Sequence, residues 1–346
     1  MSLCRSSSSR WVAAAATVAA VGFGAVPAHA EGMEYSTYSL EAAPPASTGA
    51  VASSATGGPQ GTFTTNSTRP RISAGSSAFL NSATPFGEAF GSSQGKPYLN
   101  LATASGRTPS TTSFTFDQVP TPGAWGIALG DIDADDVKIS ATGPDGQSLS
   151  AEQLGFQNTF NYCLGTPRPS GCTGGGPFTD QPAWDAASAT LHGNGRDTSG
   201  ASAWLRPTAE VRTLTLTFSV RTGIPSYQVW FAAQTDSISG TVHDQDESPL
   251  PEGTVVELEH PDGQPVLDDD NEPVTAVPDA QGHYTFPDVA AGDYEVHVVP
   301  PHGYEAQGPS TVDAEAEKGD VTGVDFTLAP AQDCTCDHHE SPGYGN

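Results

Sequence analysis

The feature of this sequence that most restricts its fold is a two-residue periodicity. Between about Lys96 and Gln234, short runs of alternating apolar and polar residues recur between turn residues, as in TSFTFDQV, DVKISATGPDGQSLS and TLTLTFSV. Such alternation places successive side chains on opposite faces of a strand, and no long stretch has the 3.6-residue periodicity of an amphipathic helix. The sequence therefore predicts an all-β chain, with residues 76–235 forming a jelly-roll or Ig-like β-sandwich.

The first 30 residues have the pattern of a secretory signal. Arg5 and Arg10 precede the apolar run WVAAAATVAAVGFGAV, and Ala28-His29-Ala30 fits the small-x-small cleavage pattern. We therefore predict a signal peptide over 1–30 and a secreted, extracellular chain; attachment to a cell surface, if there is any, would be non-covalent. No later apolar stretch reaches spanning length, so we expect no integral membrane segment in the mature chain.

Charge divides the chain into two regions. The sequence has 40 Asp and Glu against 13 Lys and Arg, a net charge of −27, which makes nucleic acid an improbable partner. Residues 236–330 hold 22 acidic residues and a single base, Lys318, whereas residues 31–235 hold 15 acidic and ten basic residues. This shift predicts two independently folding domains with a protease-accessible boundary near residues 234–237.

The segment from 31 to 75 is rich in Ser, Thr, Ala, Gly and Pro, as in EAAPPASTGAVASSATGGPQGTFTTNSTRP. Such a segment offers few large apolar side chains to offset the entropy lost on ordering. We therefore expect residues 31–75 to be a flexible tether.

The region from 236 to 330 contains a recognisable motif. It includes ISGTVHDQDESPLPEGTVVELEHPDG and DAQGHYTFPDVAAGDYEVHVVPPHGYE, with Gly, Tyr, Phe and Val in a regular pattern from Gly282 to Val298. This region resembles the carboxypeptidase regulatory-like and SdrD B-like modules. The resemblance implies a prealbumin-like β-sandwich over 236–330 in which the aromatic and Val residues point inward. It also implies a non-catalytic role, because these modules serve as stalks, spacers or binding accessories.

The first domain, with PGAWGIALGDIDADDV and DTSGASAWLRP, resembles the N-terminal region of uncharacterised secreted actinobacterial proteins that end in such a module. This second resemblance implies a surface protein and assigns no chemistry.

The main candidate site is the acidic run GDIDADDV, with Asp131, Asp133, Asp135 and Asp136. Asp131, Asp133 and Asp135 fit positions 1, 3 and 5 of an EF-hand loop, but position 6 is not Gly and position 12 is not Glu. Three interpretations remain: a solvated acidic turn, which we favour, a calcium site of non-EF type, and catalytic carboxylates. Strand alternation would place the first three carboxylates on one side, where they repel each other unless a cation or Lys138 intervenes.

Four cysteines follow the signal sequence. Cys163 and Cys172 flank a short loop, and in an oxidising compartment this spacing predicts a disulfide; two unpaired thiols are the alternative. The tail, residues 331–346, contains CTCDHH. Its cysteines and histidines could bind a soft metal such as zinc or copper, although a disordered tail with an oxidised or intermolecular disulfide is the favoured interpretation.

No motif indicates an enzyme. The sequence lacks G-x-S-x-G, H-E-x-x-H and a Gly-rich phosphate loop. We therefore expect no catalytic residues and no cofactor, with calcium at the acidic run as the open alternative. The favoured function is an adhesion-like or structural binding module whose partner is an extracellular protein or glycan. A pair of carbohydrate-binding modules is the alternative, with four tryptophans as the candidate platform: Trp125, Trp184, Trp204 and Trp230. A secreted hydrolase is the third interpretation.

Overall fold

The computed structural model describes residues 32–43, 45–103, 108–173, 176–246, 248–268 and 271–331. The signal peptide predicted over 1–30 lies outside the described residues, as do residues 332–346 of the tail. Within the described ranges, no helix is long and apolar enough to cross a membrane.

Almost all of the regular structure is β-strand, which confirms the predicted fold class. In the described residues there is one α-helix, α1 (Pro85–Phe90); Thr84 caps it by accepting a hydrogen bond from the backbone N–H of Gly87 at 3.0 Å. In chain order the strands are β1 (Gly32–Tyr35), β2 (Thr37–Glu41), β3 (Ser47–Ala52), β4 (Gly61–Thr65), β5 (Arg71–Ser73), β6 (Tyr98–Ala102), β7 (Ser110–Phe116), β8 (Trp125–Gly130), β9 (Asp135–Thr142), β10 (Phe156–Asn161), β11 (Ala183–Asp185), β12 (Thr190–His192), β13 (Ala201–Leu205), β14 (Thr213–Val220), β15 (Ser226–Asp244), β16 (Val255–Glu259), β17 (Thr275–Ala276), β18 (His283–Ala290), β19 (Asp293–Val299), β20 (Tyr304–Ala306), β21 (Thr311–Glu315) and β22 (Phe326–Pro330).

The N-terminal sandwich consists of two sheets that enclose an apolar core. One sheet has the order β11-β12-β9-β14-β7-β4-β3-β2, and the other is built from β10, β13, β8 and the first half of β15, with β6, β5 and β1 on the far side. Alternation in β7 and β14 turns Phe114, Phe116, Leu214 and Leu216 into this core. The predicted sandwich of antiparallel sheets is therefore present.

A third layer covers the outer face of the second sheet. Strands β8 and β13 are buried at every position, which means that neither face of the sheet meets water along these two strands. Helix α1 packs on one side, where the rings of Phe86 and Phe90 contact Trp204 edge-on with centroids 5.5 and 6.0 Å apart. These contacts form a second apolar cluster on the outer face of the sheet.

The C-terminal module is a separate sandwich with its own core. Strands β17, β16, β19 and β21 form one sheet, which packs against β18, β22, β20 and the second half of β15. As the family resemblance implied, Tyr284, Phe286, Tyr294 and Val296 point inward. Gly282 has a φ of 84°, and a Cβ there would collide with the carbonyl oxygen of Val242, so the turn requires glycine.

The expected boundary near residue 236 lies inside a strand. β15 runs without interruption for 19 residues, pairing with β8 up to Ala233 and with β18 from Thr235 onward. The two cores are distinct, as expected, but the peptide that joins them is paired within a sheet. The expectation of an accessible linker at 234–237 is therefore wrong, because these residues lie within β15, where the pairing partner changes from β8 to β18 and the register with β18 shifts between Asp236 and Ile238.

The flexible tether expected over 31–75 also requires correction. Residues 32–73 contain β1 to β5, and these strands pair with β15, β7 and β6. Tyr35, Val51 and Phe63 are buried anchors among the small residues. The composition was misleading because sheet pairing uses backbone groups, so that short strands with few large apolar side chains can pair with a larger sheet.

Candidate functional site

The acidic run lies at the end of the N-terminal sandwich that is farther from the C-terminal module along β15. Asp131 follows β8 in a left-handed conformation with φ of 64°, and Asp135 begins β9. Backbone hydrogen bonds hold the segment between them: Gly193 N–H donates to the Asp135 carbonyl at 3.0 Å and Gly195 N–H to the Asp133 carbonyl at 2.8 Å. We call Asp131, Asp133, Asp135 and Asp136 the acidic pole.

Asp133 accepts hydrogen bonds from a neighbouring loop. Its side chain is buried and accepts from the backbone N–H of Thr198 at 2.9 Å and from the Thr198 hydroxyl at 3.2 Å, and its other oxygen accepts from the N–H of Ala134. The Thr198 hydroxyl also lies 2.6 Å from Oδ2 of Asp180. Asp133, Thr198 and Asp180 therefore join the end of β8 to two loops that are distant in sequence.

Asp135 occupies a core-facing position of β9. The residue is 0% exposed, and neither of its carboxyl oxygens has a hydrogen-bond partner. In the same alternation, Val137 and Ile139 face the core. The interpretation as a solvated acidic turn is therefore wrong for Asp133 and Asp135. Strand alternation directs Asp135 into the sandwich, and Asp133, which precedes β9, is buried where it accepts hydrogen bonds from Thr198.

Burial and mutual repulsion disfavour the ionised forms of these carboxyls. Burial, followed by the charge of Asp133, raises the pKa of Asp131 to about 7. Burial raises the pKa of Asp133 to about 6, although the hydrogen bonds from Thr198 and Ala134 lower it in part. Burial and the charges of Asp133 and Asp131 raise the pKa of Asp135 well above its usual range. The pole therefore concentrates negative charge where the protein solvates it poorly.

Asp136 differs from the other three residues because its charge is balanced. Oδ1 of Asp136 lies 2.9 Å from Nη1 of Arg221 and 3.2 Å from Nδ1 of His192. The sequence analysis named Lys138 as the base that could intervene at the pole, but Lys138 is exposed on β9. Arg221 was missed because β14 brings it alongside β9 from a distant part of the chain.

The structure describes no preformed metal centre. Among the described residues, no three His, Cys, Asp or Glu side chains lie close enough together to hold an ion as they stand. Calcium binding at Asp131, Asp133, Asp135 and Asp136 thus stays a prediction.

The structure contains the predicted disulfide between Cys163 and Cys172, with their Cα atoms 5.6 Å apart. It closes the loop that follows β10, next to the loop of Gly200. The possible metal ligands of the tail, Cys334, Cys336, His338 and His339, lie outside the described residues.

The tryptophans are mostly core residues. Trp125, Trp204 and Trp230 are buried, and Trp184 alone of the four is half-exposed. Trp184 stacks on Phe156 with ring centroids 4.8 Å apart and planes 6° apart. This stacked pair lies at the edge of the sandwich, and its half-exposed rings are within reach of a sugar ring from solvent.

A cleft of about 730 Å³ lies where the two sandwiches meet. It is lined by Glu210 and Arg212 from the first sandwich and by His260, Asp262 and Glu317 from the second, among others. Burial lowers the pKa of His260. Asp131 and Asp133, the carboxylates considered for a hydrolase, do not line this cleft.

Comparison with known proteins identifies the C-terminal module. Residues 237–329 match the family described as carboxypeptidase regulatory-like domain, which agrees with the resemblance seen in the sequence. Colossin-A of Dictyostelium discoideum is 42% identical over 69 residues, a match covering 20% of this chain and 1% of that protein. The chain therefore matches a short stretch of a far longer protein.

Solved structures with partial similarity include two major pilins. BcpA of Bacillus cereus aligns with a TM-score of 0.26 and 12% identity over 78% of this chain and 72% of its own. SpaD of Corynebacterium diphtheriae aligns with a TM-score of 0.23 and 12% identity over 67% of this chain and 64% of its own. Scores this low carry no argument about the arrangement or function of the whole chain.

Proposed function

We propose that this protein is a secreted, non-enzymatic surface protein that acts as a structural or adhesion-like binding module. The observation that carries the proposal is the continuous strand β15, which contributes to both sandwiches and joins them without a linker. A joint of this kind favours a rigid spacer that presents a surface at a fixed orientation, as opposed to two domains that close on a substrate.

Other contacts at the joint support this interpretation. The backbone N–H of Thr56 donates to the Asp288 carbonyl at 2.9 Å, and the N–H of Ala290 donates to the Thr56 carbonyl at 2.7 Å. The hydroxyls of Thr121 and Tyr294 lie 3.1 Å apart. Each contact crosses from one sandwich to the other, so bending at the joint would break several hydrogen bonds at once.

The module matched by the family model supports a non-catalytic role. The family resemblance implies a spacer or a binding accessory, and the inward-facing aromatic and Val residues of the module are used for packing. The partner that we propose is an extracellular protein or glycan.

The test uses the purified full-length protein, labelled and incubated with intact cells and with separated envelope proteins and polysaccharides. We expect saturable binding without turnover of the bound material. Time-dependent release of reducing sugars or free amines, abolished in a heat-denatured control, would contradict the non-enzymatic role.

Carbohydrate binding is the second candidate because of the half-exposed stack of Trp184 on Phe156. On a glycan array, Trp184→Ala should lose binding if this surface recognises sugars, whereas Val277→Ala, which changes an exposed apolar residue of the C-terminal module, should keep it. Equal binding by both variants would contradict a sugar site at Trp184.

A further inference from the structure

Asp135 presents two buried oxygen atoms without a donor. Its exposure is 0%, and no hydrogen bond reaches Oδ1 or Oδ2. Buried polar atoms in native proteins nearly always have a partner, and a buried carboxylate without one is strongly destabilising. A positively charged group or a hydrogen-bond donor next to the Asp135 carboxylate would therefore stabilise it in this position.

The neighbouring groups are acceptors as well. Asp131 and Asp133 are close enough for their charges to act on Asp135. The Thr198 hydroxyl has one proton, yet it lies within hydrogen-bond distance of both Asp133 and Asp180. Asp135 thus has other carboxyl groups as its charged neighbours and, among the described residues, no hydrogen-bond donor.

Basic side chains do not balance this excess. In the described part of the chain, the ion pairs at the pole involve Asp136 alone, through Arg221 and His192. Asp131, Asp133 and Asp135 have no such pair among the described residues.

We propose that the acidic pole binds one divalent cation of the calcium class through Asp131, Asp133 and Asp135. Carboxylate and carbonyl oxygens are the ligands that hard cations prefer, and calcium accepts six to eight of them in irregular arrangements. His and Cys, the ligands typical of zinc and copper, are not part of this set.

The carboxyl groups are not yet in a ligand arrangement, since no three of them form a ready-made site in the described structure. Like charges separate when no cation lies between them. An entering cation reverses the sign of the interaction, so that Asp131 and Asp133 move toward Asp135 and water or main-chain oxygens complete the coordination.

The experiment is a calorimetric titration of EDTA-treated, dialysed full-length protein with CaCl₂. It compares the natural protein with Asp135→Asn, which keeps the shape of the side chain and removes its charge. Glu152→Gln is the matched control, because it makes the same charge change at an exposed position of the same sandwich. Titrating the intact chain keeps diffuse binding to the acidic C-terminal module constant in all three proteins.

We expect one site in the natural protein and in Glu152→Gln. Asp135→Asn should bind at that site about tenfold or more weakly, because affinity follows the number of charged ligands. The melting temperature should also rise in calcium over EDTA for the first two proteins and change less for Asp135→Asn.

Two results would overturn the proposal. Identical titrations of the natural protein and Asp135→Asn would place any bound ion elsewhere. Equal melting temperatures of the natural protein in calcium and in EDTA would show that the pole takes no ion and that Asp135 is held as a neutral acid. Circular dichroism of Asp135→Asn checks that the variant is folded.

Discussion

The C-terminal module contains more acidic residues than the N-terminal sandwich, yet the most deeply buried acids belong to the sandwich. The module holds 22 acids and one base over residues 236–330, against 15 acids and ten bases over residues 31–235. Asp135 is nevertheless 0% and Asp133 3% exposed in the sandwich, whereas many module acids, such as Asp279 and Glu305, are on the surface.

This difference shows that the position of a charge has more effect than the number of charges. Surface carboxylates are hydrated and screened by salt, so each one changes the stability of the fold only a little. Asp279 even has a lowered pKa, because the backbone N–H of His283 donates to it. Asp131 and Asp135 have raised pKa values because burial deprives them of hydration and because the charge of Asp133 lies nearby.

The largest predicted effect concerns whether the two sandwiches unfold separately. Phe286→Ala removes a fully buried ring from the core of the C-terminal module and should lower the free energy of unfolding by about 3–5 kcal/mol. Because β15 belongs to both sandwiches, we expect a single calorimetric transition that moves to lower temperature as a whole.

Two transitions, with that of the N-terminal sandwich unchanged, would show that the sandwiches unfold independently in spite of the shared strand. Val277→Ala, which truncates an exposed side chain of the same module, is the control and should leave the transition where it is.

The second prediction tests the loop beside the acidic pole. Replacing both Cys163 and Cys172 with Ser opens the disulfide and should destabilise the protein by about 2.7 kcal/mol on the chain-entropy model. Chemical denaturation of the non-reduced protein and of the double variant measures this difference. Addition of a reducing agent should lower the stability of the natural protein and leave the variant unchanged; an equal loss in both would point to another cause.

The third prediction compares the two regions by their pH dependence. Burial lowers the pKa of His260 at the cleft. The contribution of His260 to the free energy of unfolding is therefore present above the unfolded-state pKa of about 6.5 and is lost as the pH falls. The pH dependence of stability at the pole has the opposite sign, because the raised pKa values of about 7 for Asp131 and about 6 for Asp133 mean that folding favours the protonated forms. That contribution is present at low pH and is lost as the pH rises from about 4 through these values.

The measurement is a series of melts between pH 5 and pH 8 in EDTA. His260→Gln should melt a few degrees higher than the natural protein at pH 5. Asp135→Asn should melt a few degrees higher than the natural protein at pH 8. Parallel profiles for all three proteins would contradict both assignments.

The smallest predicted effect concerns a single hydroxyl at the joint. Tyr294 donates to the Ala290 carbonyl at 2.8 Å and lies 3.1 Å from the Thr121 hydroxyl. Tyr294→Phe keeps the ring and should cost about 1 kcal/mol. In a double-mutant cycle with Thr121→Val, the coupling should differ from zero; additive effects would mean that this contact contributes nothing between the sandwiches.

Much of the C-terminal module could be predicted from the sequence. Its alternation from Gly282 to Val298 is regular, and the structure confirms which of those side chains point inward. The continuity of β15 was not predicted, because an abrupt change in charge at residue 236 looks the same in a sequence whether the chain is a linker or a strand.

The candidate site could be predicted in part. Spacing alone brought Asp131, Asp133 and Asp135 together, but it gave no sign of their burial, since aspartate usually lies on the surface. Thr198 and Asp180, which complete the surroundings of Asp133, come from loops that only the folded sheets bring near.

The pairing of β15 determines how the protein would respond to tension. Strand β1 runs antiparallel to β15, with Gly32 opposite Thr235. Strand β22 runs parallel to β15 and pairs with Val242 to Asp244. A pull applied at Gly32 and Pro330 would therefore load the middle of β15, between the part that pairs with β1 and the part that pairs with β22. The acidic pole lies beyond this load path, at the other end of β15 near Ser226, and would keep its shape while the joint is under strain.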